Sequence, residues 1–481
     1  MFLLTCLFSK IMKSKIASLI STLFVFGIMQ AQLKVASILS DNMVLQRNTE
    51  VKVWGKANPN ETVIVKASWN KLKTKVISNN NGEWLTKMKT TEAGGPYSIT
   101  ISSGKENVKI QNILLGEVWL CSGQSNMEMP VLGYNNQPVN GALDALYEAD
   151  NDNIRLFKVK LVASPEPKTE CEGAWVSANT ETVGKFSAIG YFYAKMLQQK
   201  LKVPVGMVYS AWGGTRIEAW MKKEIVQKFP KPYELSTKEK LTNHNKAANL
   251  YNGMIAPITN YSIKGALWYQ GEGNIDYPKE YADLMKAMVE GWRTDFGVGQ
   301  FPFYFVQLAS YPYAWVNPKL APMMRDQQTK ASMEIPNSGM VTAIDQGDII
   351  IHPAEKQTIA KRLVYMALGN TYGLKGLPYK SPAFKAIQLK DTAAIITFDN
   401  AELGLTSFGK DVECIEIAGQ DSIFYPAQLK IIKEGIQVWA PQVKTPAMVR
   451  YAYSNFPKTK GYLYSTAGNP VLPFNTNNWL K

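Results

Sequence analysis

The stretch Gly116-Glu117-Val118-Trp119-Leu120-Cys121-Ser122-Gly123-Gln124-Ser125-Asn126-Met127 carries an apolar run straight into a small polar knot. The run reads as a buried strand, and Gly123-Gln124 as the turn that ends it, with Ser125 just beyond. A turn that merely closes a strand and a turn that presents a nucleophile look alike over so short a window. The rest of the chain has to separate them.

From about residue 112 to 373, apolar strands alternate with amphipathic helices. Ile189, Phe192, Tyr193, Met196 and Leu197 keep helical spacing, as do Tyr281, Leu284, Met285, Met288 and Val289. Between them lie the apolar runs 205–209, 265–269, 303–306 and 340–344. Such alternation predicts a parallel sheet covered by helices on both faces. Residues 32–111 read instead as a small antiparallel, sandwich-like β domain, with strands near 51–53, 62–65 and 97–101 and a hairpin signal at Asn81-Gly82. Beyond 373 helical periodicity stops, and 374–481 reads as a second β-rich region.

In open parallel sheets, ligands bind outside the carboxyl ends of the strands. Four loops there carry complementary chemistry: Ser122 to Asn126, Trp212-Gly213-Gly214-Thr215-Arg216, Gln270-Gly271-Glu272-Gly273-Asn274, and Asp345-Gln346-Gly347-Asp348 with His352-Pro353 after it. A serine hydroxyl needs a base to become a nucleophile, and histidine is the usual one. The chain has two histidines. His244 lies in a polar stretch with no strand before it and reads as a surface or capping residue. His352 follows the last clear strand, and Pro353 can open the next helix. Ser125, Gly213 or Gly214 through backbone amides, and Gln270 or Asn274 through side-chain amides, are candidate oxyanion donors. A purely conformational role for Gly213-Gly214 competes with that reading. An α/β-hydrolase elbow, Gly-x-Ser-x-Gly, is disfavoured because position 127 is Met. Glycosidase carboxylates are conceivable at Glu117, Glu218 or Glu272, but Glu117 begins a strand and points elsewhere.

Gly-Gln-Ser-Asn-Met, Gly-Gly-Thr-x-Ile-Glu-Ala-Trp, Trp-Tyr-Gln-Gly-Glu-x-Asn and Ile-His-Pro-x-x-Lys, in this order, resemble the sialate O-acetylesterase family of the SGNH hydrolase superfamily, over roughly residues 114–370. The resemblance implies a flavodoxin-like three-layer α/β/α domain flanked by β-rich domains. It implies Ser125 as nucleophile, His352 as base, a donor from Gly213 or Gly214, and another from Gln270 or Asn274. Gln124, Arg216, Asn252 and Glu272 become candidate substrate contacts, Arg216 through its fork toward a sugar carboxylate. Many SGNH enzymes carry the histidine's orienting aspartate three residues before it. Here that position is Ile349, so Asp348 or Asp345, or a backbone carbonyl, is left for the task.

Composition limits the alternatives. With 481 residues, 46% of them hydrophobic, the chain has material for a large core. Its net charge of +14 is scattered rather than gathered into an arm, so no nucleic-acid partner is expected. Lys10, Lys13 and Lys15 precede an apolar run at 16–29 and then Gln30-Ala31, the layout of an export signal over residues 1–31. That run is shorter than the roughly 20 residues a spanning helix needs, so no stable membrane insertion is expected after cleavage. A periplasmic or extracellular esterase follows, with an O-acetylated glycan or sialic acid as partner and no metal or cofactor. An acetylxylan or other polysaccharide esterase is the alternative substrate class, and a non-catalytic glycan-binding protein the alternative function class. Cys121, Cys171 and Cys414 would permit one disulfide at most.

Overall fold

The computed structural model describes residues 32–229, 243–313 and 316–477; the export segment expected at 1–31 lies outside them. Val118-Trp119-Leu120 lies in strand β1 (Glu106–Gly123), whose second half is buried on both faces. An unbroken apolar run suits a strand with no wet face. Each such side chain contributes about 1.5–3 kcal/mol by leaving water.

β1 stands in the middle of the central sheet. Its companions are β2 (Asn151–Lys158), β3 (Trp175–Ala178), β4 (Val205–Ala211), β5 (Gly265–Tyr269), β6 (Phe303–Gln307) and β7 (Ser338–Thr342), in the order β3-β2-β4-β1-β5-β6-β7. All pair in parallel except β3, which runs antiparallel to β2 at the edge. Without that edge pair, the five remaining strands follow the flavodoxin order. Helices α2 (Ala188–Leu201) and α5 (Lys356–Met366) cover one face through Ile189, Phe192, Ile359 and Leu363. Helices α3 (Tyr281–Phe296) and α4 (Leu320–Glu334) cover the other through Leu284, Met288 and Met324. The result is the three-layer α/β/α arrangement that the alternating pattern predicts. β7 ends at Thr342 rather than Ile344, because Ile344 to Gln346 already turn as a short 3-10 segment. α5 starts at Lys356, not Pro353: the Ala354 carbonyl accepts from the Asn140 and Lys356 amides at 3.0 and 2.9 Å, holding a turn before the helix.

The first half of β1 belongs to the N-terminal β region. It pairs antiparallel with residues 94–103 and in parallel with 44–46, facing a three-stranded sheet of 34–35, 50–56 and 83–89. The strand therefore passes position 111 without a break, and Ile99, Ile113, Leu120 and Trp268 share one continuous core. The C-terminal region forms two four-stranded sheets and a two-stranded one around Ile396, Ile417, Val449 and Tyr451. It is tied to α4 by Tyr453, whose hydroxyl donates to Asp326 Oδ2 at 2.5 Å. Cys121, Cys171 and Cys414 are all free thiols.

Candidate active site

Register brings the loops together. Gly123 is the Cα partner of Ala211 on one side and of Tyr269 on the other, so β4, β1 and β5 end abreast. At Gly123 the backbone turns with φ +138, and a Cβ there would sit 2.2 Å from the Tyr269 carbonyl oxygen. Only glycine permits that approach. The Gln124 amide then donates to the same carbonyl at 2.9 Å. Its side-chain Oε1 accepts from the Gly271 and Gly273 amides at 3.3 and 3.1 Å. Gln124 is thus a buried staple between two loops, not an open substrate contact.

Ser125 opens the short helix α1 (Ser125–Glu128) and is half-buried. Gly213 backs onto it: a Cβ on Gly213 would lie 3.3 Å from Ser125 Cβ. The Gly213 amide donates to Glu128 Oε2 at 2.6 Å, so it is aimed at an acidic oxygen on the nucleophile's side. Burial raises the Glu128 carboxyl above the usual carboxylate range, and the Gly213 amide works against that rise. Gly214, at φ +68, supplies the left-handed turn of the same loop.

The third loop is a scaffold of amides. Gln270 gives both amide hydrogens away, to the Thr215 carbonyl at 3.0 Å and to Asn274 Oδ1 at 2.8 Å, and its Oε1 accepts from Tyr281 at 2.7 Å. No hydrogen remains for an oxyanion, so of the two expected side-chain donors Gln270 serves only as support. Asn274 Oδ1 also accepts from the Ile217 amide at 2.9 Å, while its Nδ2 donates to Glu218 Oε2 at 2.8 Å. One Asn274 amide hydrogen has no protein acceptor among the described residues. Asn252 is likewise structural: buried, it donates to the Ser164 and Pro165 carbonyls at 3.2 and 2.9 Å.

His352 is held from several sides. Its Nδ1 lies 2.6 Å from Gln137 Oε1, and the ring of Tyr134 meets it edge-on at 5.2 Å between centroids. The Tyr134 hydroxyl donates to the Ser125 carbonyl at 3.3 Å. Asn126, next to the nucleophile, donates to the Ile351 carbonyl at 3.2 Å and to Glu272 Oε1 at 2.6 Å. Its Oδ1 accepts from Lys356 Nζ at 2.5 Å. The loops carrying Ser125, Glu272 and His352 are thereby joined through one asparagine. Burial lowers the Lys356 ammonium to about 7 against the pull of Glu272. Burial, then the Lys356 charge, lowers His352 to about 4. Glu272 moves up, chiefly through burial.

The carboxylates near His352 are otherwise engaged. Asp348 Oδ1 accepts from the amide of its own neighbour Ile349 at 2.6 Å. Asp345 forms a two-pronged pair with Arg362 at 2.8 and 2.6 Å and accepts from Tyr464 at 3.2 Å. Glu117 pairs with Arg47 at 2.7 Å, away from the loops, as its place in the strand predicts. Arg216 stands over the Tyr277 ring at 5.9 Å and, by its charge, offsets part of the burial-driven rise of Glu218. His244 is not a simple surface residue: it stacks flat on Trp212, 4.8 Å between centroids at 11°. Trp119, Trp220, Trp268 and Tyr269 are core residues, whereas Trp212 is half-buried in its loop.

The sequence profile of the carbohydrate esterase, sialic acid-specific acetylesterase family matches residues 115–361. The chain belongs to this family. That makes it a carboxylic ester hydrolase by descent, and the matched span holds every residue of the site from Glu117 to Lys356. It is 30% identical to human sialate O-acetylesterase over 74% of both chains. Against the mouse sialate O-acetylesterase the identity is 27%, over 91% of this chain and 93% of the relative. The crystal structure of a carbohydrate acetylesterase from Xanthomonas citri superposes with a TM-score of 0.84 at 32% identity, covering 93% of this chain and 100% of that one. Within the family's span, sequence reasoning missed Asn126, Glu128, Tyr134, Gln137 and Lys356. Asn126 and Lys356 lie inside the quoted blocks and only their burial was hidden; Gln137 lies in no block.

Proposed function

We propose that the protein removes O-acetyl groups from sugar hydroxyls, with sialic acid as the sugar, through an acetyl-enzyme on Ser125 and with His352 as general base. The observation that supports it most is the setting of Ser125: half-buried at the end of a central strand, flanked by an amide aimed at an acidic oxygen, and linked through Asn126 to the histidine loop.

In this reading Ser125 Oγ attacks the acetyl carbonyl as His352 Nε2 takes its proton. The carbonyl oxygen becomes anionic and takes the Ser125 amide, the Asn274 amide and the Gly213 amide that Glu128 otherwise occupies. His352 then returns the proton to the departing sugar oxygen, and a water activated the same way releases acetate. Arg216 meets the carboxylate of the sugar, a charge that an aryl acetate or a neutral polysaccharide lacks. Work outside the cell, periplasmic or extracellular, belongs to the same proposal.

Purified protein should release acetate from an aryl acetate and from O-acetylated sialic acid. Ser125→Ala should reduce both by about a thousandfold or more; full activity in that variant sinks the reading. Arg216→Ala should raise KM for O-acetylated sialic acid about tenfold and leave the aryl acetate alone. Equal effects on acetylxylan would move the substrate away from sialic acid.

A further inference from the structure

We propose that Gln137 is the positioning residue of His352, holding by a neutral amide the ring nitrogen that serine hydrolases commonly give to a carboxylate. The proposal rests on the reading of Ser125 as nucleophile and His352 as base.

The geometry begins with the bond. Gln137 Oε1, 2.6 Å from Nδ1, carries no proton and can only accept. Nδ1 must therefore hold its hydrogen, which leaves Nε2 with the lone pair a general base needs. Gln137 is itself fixed. The Tyr134 and Gln137 backbones exchange hydrogen bonds of 3.0 Å in each direction across Asn135-Asn136, with Asn136 at φ +59. Gly133 lets the chain enter this hairpin at φ +77, where a Cβ would sit 2.2 Å from the Gln137 carbonyl oxygen. The same four residues deliver Tyr134, which touches both the imidazole and the Ser125 carbonyl. One small hairpin therefore orients the base against the nucleophile.

The acidic groups of the surrounding loops do not compete for Nδ1. Asp348 is on the Ile349 amide, Asp345 on Arg362 and Tyr464, Glu128 on the Gly213 amide, Glu355 on the Asn140 side chain, and Glu272 on Asn126 through Oε1, its buried Oε2 bonded to no group among the described residues. The charge that faces the imidazole is the Lys356 ammonium, from α5; Tyr134 faces it from the hairpin as a neutral phenol. During attack the Ser125 proton passes to Nε2, while the Nδ1 hydrogen stays with Gln137 throughout. An amide fixes the tautomer yet adds no negative charge to stabilise the imidazolium. The base consequently stays unprotonated, and usable, further into the acid range than a carboxylate-paired histidine.

The test is steady-state hydrolysis of an aryl acetate by the full chain from acid to neutral pH. Gln137→Ala should lower kcat by about tenfold to a hundredfold with KM changed less than about twofold. Gln137→Glu, which restores an acceptor and adds charge, should keep most of the neutral-pH activity and move the acid limb of kcat/KM up by about one pH unit or more. A mere packing role would not move that limb. The proposal is overturned if Gln137→Ala stays within about twofold of the wild type in kcat, or if Gln137→Glu leaves the acid limb in place. It is also overturned if Asp348→Asn moves the limb and neither Gln137 variant does. The two readings part cleanly: activity surviving in Ser125→Ala removes the nucleophile, whereas an inactive Ser125→Ala beside an unaltered Gln137→Ala removes only the positioning role.

Discussion

The chain's two histidines stand on two walls of the same loop cluster, and their surroundings differ in kind. His352 is bonded at Nδ1, packed edge-on by Tyr134, and charged against by a buried lysine. His244 lies flat on Trp212 in a three-residue turn, and Asn245 beside it bonds the Arg216 amide and the Gly214 carbonyl at 2.9 and 2.8 Å. Stacking sets the plane in which a ring lies; an in-plane bond to a fixed acceptor sets which of its nitrogens carries the hydrogen. Proximity to the loops is thus a poor guide to the base.

Truncating each ring should separate the two histidines most. His352→Ala should cost about a thousandfold in kcat, measured on an aryl acetate. His244→Ala should change kcat by less than about threefold, its effect confined to KM through a loosened Trp212. A reversed order would exchange the two roles.

A smaller effect should come from the lysine behind His352. Lys356→Met leaves Asn126 Oδ1 without its donor and Glu272 without a nearby cation. We expect about a tenfold loss of kcat. The acid limb should also rise, because the ammonium that disfavours imidazolium is gone. In the wild type that limb should lie near about 4, below the ordinary histidine value of 6.5.

Stability gives the smallest signal and carries the same sign. His352 is depressed in the folded state, so the unfolded chain binds more protons between about 4 and 6.5, and stability rises with pH across that window. Lys356, depressed from 10.5 to about 7, acts likewise between those values. Urea unfolding of Lys356→Met should show a flatter rise from pH 7 to 10.5 than the wild type. An unchanged slope would mean that the folded chain keeps Lys356 protonated up to its ordinary range.

Much of the site was legible because it is local. Ser125 and Gly213 each follow the end of a strand by two residues, and strand ends can be read from apolar runs; His352 lies farther out, in the loop between β7 and α5. The fold was legible for the same reason, since β4, β5 and β6 begin where their apolar runs begin. What escaped was where amide hydrogens go. Gln124 and Gln270 sit in or beside glycine-containing turns and Asn252 in the short helical segment Tyr251–Ile255, and in sequence such polar residues look the same whether they face substrate or brace a neighbouring loop. Gln137 escaped for the opposite reason: it reaches His352 across 215 positions of chain, from a hairpin whose only signal was Gly133 and the Asn135-Asn136 pair. Asp348 drew attention through nearness in sequence, but its carboxylate turns back on its own next amide.

The length of β1 makes the nucleophile a passenger of the N-terminal sheet. Because one unbroken strand runs from Glu106 to Gly123, its first half locked to residues 94–103 and its second half to β4 and β5, pulling or melting either end loads the other. The N-terminal β region cannot be clipped away as an accessory. Removing it would strip one end of the strand of its partners and blur the one rail along which Ser125 is set in place.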